Sequence, residues 1–243
     1  MSRLSTKPYL PKHTKLIVNT PAIVLKCFPY GESSLIARCF SEKNGKVSLI
    51  VKGAKRVKSS KASYFQPLNY IDIIYNHKLN RELHVISKVS YKRYWSKILE
   101  DLYKVSLAIS ILELTDKTLS DNDPHPPLFL VLKEVLAAYN NTLINPKVLF
   151  WFYECALLSN LGFQPSLEDP DLPGLTLPEI NNDANCISIL STLLSGQIGQ
   201  LKIIKPSKET SLLINNYLWS LLDYHCEGLS SIKSFRVVKQ LLS

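Results

Sequence analysis

Between Lys52 and Lys61 the chain reads Lys-Gly-Ala-Lys-Arg-Val-Lys-Ser-Ser-Lys, five cations in ten residues with no carboxylate among them. Long-stemmed ammonium and guanidinium groups at that density suit one kind of chemistry, the neutralisation of phosphates with release of their condensed counterions. The spacing is irregular. On a strand Lys52, Lys55, Arg56, Lys58 and Lys61 would fall on both faces, and on a helix they would ring the axis. The expected form is therefore a mobile loop, able to span roughly 30 Å when extended. Lys26, Arg38 and Lys46 lie in neighbouring strand patterns and would extend the patch. Of the aromatics that follow, Tyr64 and Tyr70 are candidates to stack on bases, which any base sequence tolerates. Phe65 suits a barrel core better.

The rest of the composition narrows the field. Up to Lys97 there are 19 Lys and Arg against four acids, a net of +15; the remainder carries 10 against 16, a net of −6. A basic half joined to an acidic half points to one part that holds a polyanion and another with a different task. Catalytic signatures are missing. The 8 glycines form no phosphate-binding Gly-x-x-x-x-Gly-Lys-Ser/Thr loop, and the five histidines form no His-x-x-x-His pair. Glu168, Asp169 and Asp171 stand among prolines and read as a solvated loop. Cys27, Cys39, Cys155, Cys186 and Cys226 are odd in number and widely spread, so neither a disulfide framework nor a structural zinc site is expected. No apolar run reaches the length of a membrane span, and the N-terminus lacks a signal-like apolar stretch. The expectation is a non-enzymatic binding protein without cofactor or metal, in a reducing cytoplasm.

Short alternating runs must position the cations. Ile17–Cys27, Ser34–Phe40, Val47–Val51, Leu68–Tyr75 and Glu82–Val89 read as five strands, with Asn44-Gly45 as a hairpin turn. Five short strands in under 90 residues suggest a closed OB-type barrel. After Tyr94 the period becomes helical. Asn145-Pro146 supplies a cap and first-turn proline for an apolar helix over Val148–Leu161, which Gly162 ends. Further helical patterns run over 187–194, 209–224 and 233–242. The expected fold class is α+β and multidomain: a basic flexible arm at 1–16, a five-stranded OB-type β-barrel at 17–90, and an all-α helical domain at 91–243. An acidic irregular insert at about 164–186 interrupts that last domain. The aromatic positions of this half are core by default, but Tyr217, Trp219, Tyr224 and His225 exceed what one helix face buries easily, which makes a partner pocket there the alternative.

The order of several segments resembles the RecO family of bacterial recombination mediators. They are Thr20-Pro21-Ala22-Ile23-Val24-Leu25-Lys26, Tyr30-Gly31-Glu32-Ser33-Ser34, Val51-Lys52-Gly53-Ala54-Lys55, Phe65-Gln66-Pro67-Leu68 and Leu161-Gly162-Phe163-Gln164-Pro165. The resemblance implies an OB-fold followed by helices, binding of single- and double-stranded DNA, and annealing of complementary strands. It also implies loading of the RecA recombinase on DNA coated with single-strand-binding protein, together with RecR and, in some systems, RecF, in a bacterial cytoplasm at the nucleoid. The basic residues above would then be DNA contacts. Lys202, Lys205 and Lys208, with Tyr217 and Trp219, would receive the acidic tail of the single-strand-binding protein. One departure stands out: where many members carry a four-cysteine zinc module, this chain has Cys186 alone. Composition leaves two alternatives open, an RNA-binding OB protein associated with the ribosome and a helical adaptor.

Overall fold

The structure is a computed structural model, and it describes residues 16–78, 81–141, 143–168, 172–226 and 229. The expected N-terminal arm, apart from Leu16, and the expected helix at 233–242 lie outside the described residues.

The five strands are β1 (Leu16–Tyr30), β2 (Ser34–Ser41), β3 (Gly45–Val51), β4 (Tyr70–His77) and β5 (Leu83–Arg93). β1 is long because it serves two partners. Leu16 to Ile23 pair with β4, Ala22 to Tyr30 pair with β2, and an irregularity between Val24 and Lys26 bends the strand between the two tasks. β3 runs parallel to β5 over Ser48–Ile50, and β4 and β5 are antiparallel. The sheet closes in the order β1-β2-β3-β5-β4, the OB-type arrangement that the strand count suggests. Two boundaries differ from the sequence reading. Pro29 and Tyr30 continue β1 rather than starting a turn, and β5 runs to Arg93 because its pairing with β4 continues as far as Tyr70.

Alternation sorts the strand residues into two cores. Val24, Ala37, Cys39, Leu49, Ile71, Ile73 and Tyr75 point into the barrel. Phe65, directly after the short helix α1 (Lys61–Tyr64), joins that core and is fully buried. Residues of the other parity, Ile23, Leu25 and Phe40, join Leu68 in a second core shared with the helices. Phe40 meets Phe129 edge-on at 5.6 Å between ring centroids. Each fully buried side chain of this size contributes about 1.5–3 kcal/mol relative to exposure. The barrel is thus fastened to the helices by apolar surface as well as by chain connectivity.

The helices are α2 (Ser96–Leu99), α3 (Leu102–Thr118), α4 (Pro126–Asn141), α5 (Pro146–Asn160), α6 (Ala184–Leu194) and α7 (Lys208–His225). Their starts follow from capping side chains. Asp101 accepts from the Tyr103 and Lys104 amides, Asn145 from Lys147, Asp183 from Asn185 and Cys186, and Ser207 from Thr210. α5 is buried nearly all round, as its apolar sequence requires, and packs against α3, α4, α6 and α7. The described part of the acidic stretch before α6 has one 3₁₀ turn, Ile180–Asn182, and is strapped down by tyrosines of α7. The Tyr217 hydroxyl donates to the Ser166 carbonyl at 2.5 Å, and that of Tyr224 to the Pro173 carbonyl at 3.2 Å. No described helix is long and apolar enough to cross a membrane.

Gly45, in the β2–β3 turn, fits where little else would. Its φ is +64°, and a Cβ there would lie 1.8 Å from the Asp123 carbonyl oxygen. The Asp121–Asp123 connector crosses the turn, and the Asn122 amide donates to the Lys46 carbonyl at 2.8 Å. The Asn-Gly pair thus serves the contact with the helical half as well as the hairpin.

Candidate nucleic-acid interface

The basic segment leaves β3 at Val51 and returns through α1. It is a succession of turns, not the extended loop that its spacing suggests. The expectation fails because two small residues outweigh the cations between them. Ala54 is buried in the barrel core, and Gly53 adopts φ +69°, which lets the chain fold back on itself. Backbone bonds complete the structure: the Lys55 amide donates to Ser33 at 3.0 Å, Arg56 to Gly53 at 3.3 Å and Ser59 to Arg56 at 2.8 Å. The segment is thereby tied to the β1–β2 turn at Gly31 to Ser33.

Lys52, Lys55, Arg56, Lys58 and Lys61 are all exposed, and none is in an ion pair among the described residues. Lys52, Arg56, Lys58 and Lys61 line a cavity of about 470 Å³, together with Gly53, Ser59 and Ser60. Four cations with two hydroxyls around one open hollow can accept a phosphodiester and donate to its oxygens. Tyr64 lies beside this hollow in sequence. It is half-buried and stacked on Tyr91, with ring centroids 4.4 Å apart and planes at 27°. The pairing with Tyr91 leaves no room for a base between the rings. Tyr91 is 46% exposed and escaped the sequence reading, since only the β4–β5 register brings it to α1.

The three strand cations are elsewhere, and here the structure corrects the sequence reading. Lys46 is buried, and its ammonium donates to the carbonyls of Asp116 and Leu119, each at 2.6 Å. A cation at the C-terminal end of α3 suits the partial negative charge there. Arg38 spans Asp116 at 3.0 Å and Asp121 at 2.7 Å, and Lys26 reaches Asp116 at 2.6 Å. Burial and the neighbouring Arg38 push the Lys46 ammonium below its ordinary pKa, while Asp116 and Asp121 oppose the shift. These residues clamp the barrel to the helices instead of extending the phosphate patch. The signal that could have found the clamp is the Asp116, Asp121 and Asp123 run following a strongly basic half.

In the helical half, Lys202, Lys205 and Lys208 are exposed. Lys202 lies in the 3₁₀ turn Ile198–Ile203, and Lys208 is the first residue of α7. Tyr217 is buried and bonded to Ser166, so it has no face to offer a partner; α7 uses it to hold the acidic stretch. Trp219 is half-buried and packs on the helical core. The exposed aromatic cluster is instead Phe163, stacked on His225 at 4.0 Å, with Tyr224 against the same imidazole. All five cysteines are free thiols, and no described group of three His, Cys, Asp or Glu is placed to hold a metal ion.

The family models described as Recombination protein O N terminal and Recombination protein O C terminal match residues 16–95 and 99–171 in succession. The chain is similar to the DNA repair protein RecO of Salinibacter ruber, 30% identical over 160 residues, covering 66% of this chain and 62% of that relative. It is also similar to the protein of the same name from Flavobacterium johnsoniae, 25% identical over 238 residues, covering 93% and 99%. A third, from Prosthecochloris aestuarii, is 29% identical over 164 residues, covering 65% of this chain and 60% of the relative.

Proposed function

Since the chain belongs to the recombination protein O family, whose relatives above are DNA repair proteins, we propose that it is a DNA-binding recombination mediator without catalytic activity of its own. In this reading the cavity formed by Lys52, Arg56, Lys58 and Lys61 takes the phosphate backbone of single- or double-stranded DNA, and the exposed Lys55 beside Arg56 in sequence adds a further contact. The observation that carries it is this unpaired cation cluster, folded into turns and anchored in the barrel wall through Ala54. The site offers charge and hydroxyls but no side-chain array fitted to base edges, so binding is independent of sequence. Such binding screens the repulsion between two backbones, which is what annealing of complementary strands requires. The helical half then supplies protein contacts. Lys202, Lys205 and Lys208 are the candidate receiver for the acidic tail of a single-strand-binding protein. Through RecR, and with or without RecF, the mediator would load RecA at the nucleoid.

The test is the salt dependence of binding. Five contacts to a single strand give a log–log slope of about −3.5, and Lys55→Ala, Arg56→Ala and Lys58→Ala together should flatten it by about 2. The fold should be unchanged, since all three side chains are exposed. An unchanged slope would move the site elsewhere, and a marked preference for RNA over both forms of DNA would overturn the reading. Annealing of complementary strands coated with single-strand-binding protein should slow in the same variant.

A further inference from the structure

A second groove runs along the opposite parity of the barrel wall, where β1, β4 and β5 lie side by side. The register puts Asn19 beside Ile74 and Pro21 beside Asp72, then Ile74 beside Lys88 and Asp72 beside Ser90. Ile71, Ile73 and Tyr75 of β4 point inward, so this row faces out. The groove encloses about 420 Å³ and carries Lys43 on one bank with Lys88 and Lys92 on the other. Lys43 comes from the β2–β3 turn and is held in place: its ammonium donates to the Asn19 carbonyl at 2.9 Å, and its amide to the Thr20 hydroxyl at 3.2 Å. Lys92 is one of two residues of β5, with Ser87, that the β4–β5 register skips, and its ammonium stands 3.3 Å from Asp72. Lys43, Lys88 and Lys92 are exposed, and no residue lining this groove lines the first cavity.

We infer that this wall holds a second nucleic-acid strand, so that one chain carries two backbones at once. The inference rests on the proposed function and extends it. Three cations on two banks oppose one floor carboxylate, so the groove favours a polyanion. Asn19 and Ser90 add neutral donors for phosphate or sugar oxygens. Its lining crosses three neighbouring strands, Asn19 to Ile74 to Lys88 and Pro21 to Asp72 to Ser90, so a backbone laid over the wall meets cations on both banks. Asp72 weakens the hold by pairing Lys92 and by its own charge. The first cavity has no such carboxylate, so the second strand is bound more loosely and exchanges faster. A tightly held strand beside a loosely held one suits a protein that must bring strands together and then release the duplex.

Native mass spectrometry of the full chain with short oligothymidylate at moderate ionic strength reads the stoichiometry, because such strands cannot pair with each other. One chain should carry two strands, the second more weakly. The Lys43→Gln, Lys88→Gln and Lys92→Gln variant should keep the first affinity within about twofold and lose the second at least about tenfold, its salt slope flattening by about 2. Asp72→Asn should instead strengthen the second strand several-fold, a gain that a misfolded variant cannot mimic. Two strands retained by the triple glutamine variant, or one strand at most on the wild type, would overturn the inference while leaving the proposed function intact. No strand on the wild type would overturn both. Displacement of the second strand at least about tenfold more readily by a polyglutamate peptide than by competitor oligonucleotide at equal charge concentration would reassign the groove to an acidic protein.

Discussion

Lys46 shows how one residue type can serve two purposes in the same strand neighbourhood. Directly after the Asn44-Gly45 turn, it looks like a surface cation, yet only 5% of it is exposed and two carbonyls at the end of α3 hold its ammonium. Removing one partner from a buried charged cluster costs about 3–5 kcal/mol, because the remaining groups lose solvation without compensation. Lys46→Met should fall near the lower figure, since Arg38 and Lys26 still neutralise Asp116. Equilibrium denaturation gives the loss of stability. The slope of DNA binding against salt should stay at the wild-type value, and a flatter slope in a folded Lys46→Met protein would return this lysine to the phosphate contacts. The run of five cations without acids was legible from sequence, but not its folding into turns around a cavity, which Gly53 and the buried Ala54 decide. The clamp was not legible either, because nothing local distinguishes Lys46 from Lys52. The difference is made by carboxylates some 70 positions later, and only the packed structure brings them together.

Secondary-structure elements were easier to read than their neighbours. The alternation in β1 to β5 and the capped helical periods follow from local physics, so the barrel and the helices appear in the expected order. What alternation could not give was β1 bending to serve two partners, or the reach of β5 past Val89. Both depend on which strands meet. α5 adds a hidden feature of its own: Glu154 sits on its fully buried face, and burial holds its carboxyl well above the ordinary value. In the unfolded chain this group ionises as pH rises through the usual carboxylate range, while the folded protein keeps the proton. The unfolded state then binds fewer protons, so stability falls as pH rises from the ordinary value toward the folded one. Glu154→Gln removes that titration. The variant should be the more stable of the two at pH 8, and the gap in thermal midpoint should narrow toward pH 5. A gap that widens on acidification would mean that the folded carboxyl is ionised.

At the scale of the whole molecule the question is whether the barrel and the helices unfold together. Two independent connections say that they do. Ile23, Leu25, Phe40 and Leu68 belong to the same apolar cluster as the helices, so opening the junction exposes them to water. Lys26, Arg38 and Lys46 would at the same moment leave Asp116 and Asp121, and buried charges separated from their partners are costly. Gly45 and Asp123 fit too closely for the turn to slide past the connector without both giving way. This coupling also bears on function, since it fixes the basic cavity and the outer groove of β1, β4 and β5 relative to the helical surface that carries Lys202, Lys205 and Lys208. The chain provides its own probes. Trp95, Trp151 and Trp219 all lie beyond the last strand, whereas hydrogen exchange of the strand amides reports the barrel. Denaturant unfolding followed by tryptophan emission and by pulsed exchange of the strand amides should give coincident transitions with a single midpoint. Replacing Asp116 by Asn removes a carboxylate shared by three cations, so it should lower that midpoint and begin to separate the two curves, the barrel losing its support first. Two separate transitions already in the wild type would mean that the junction is weak, and that the two halves act as tethered modules rather than as one body.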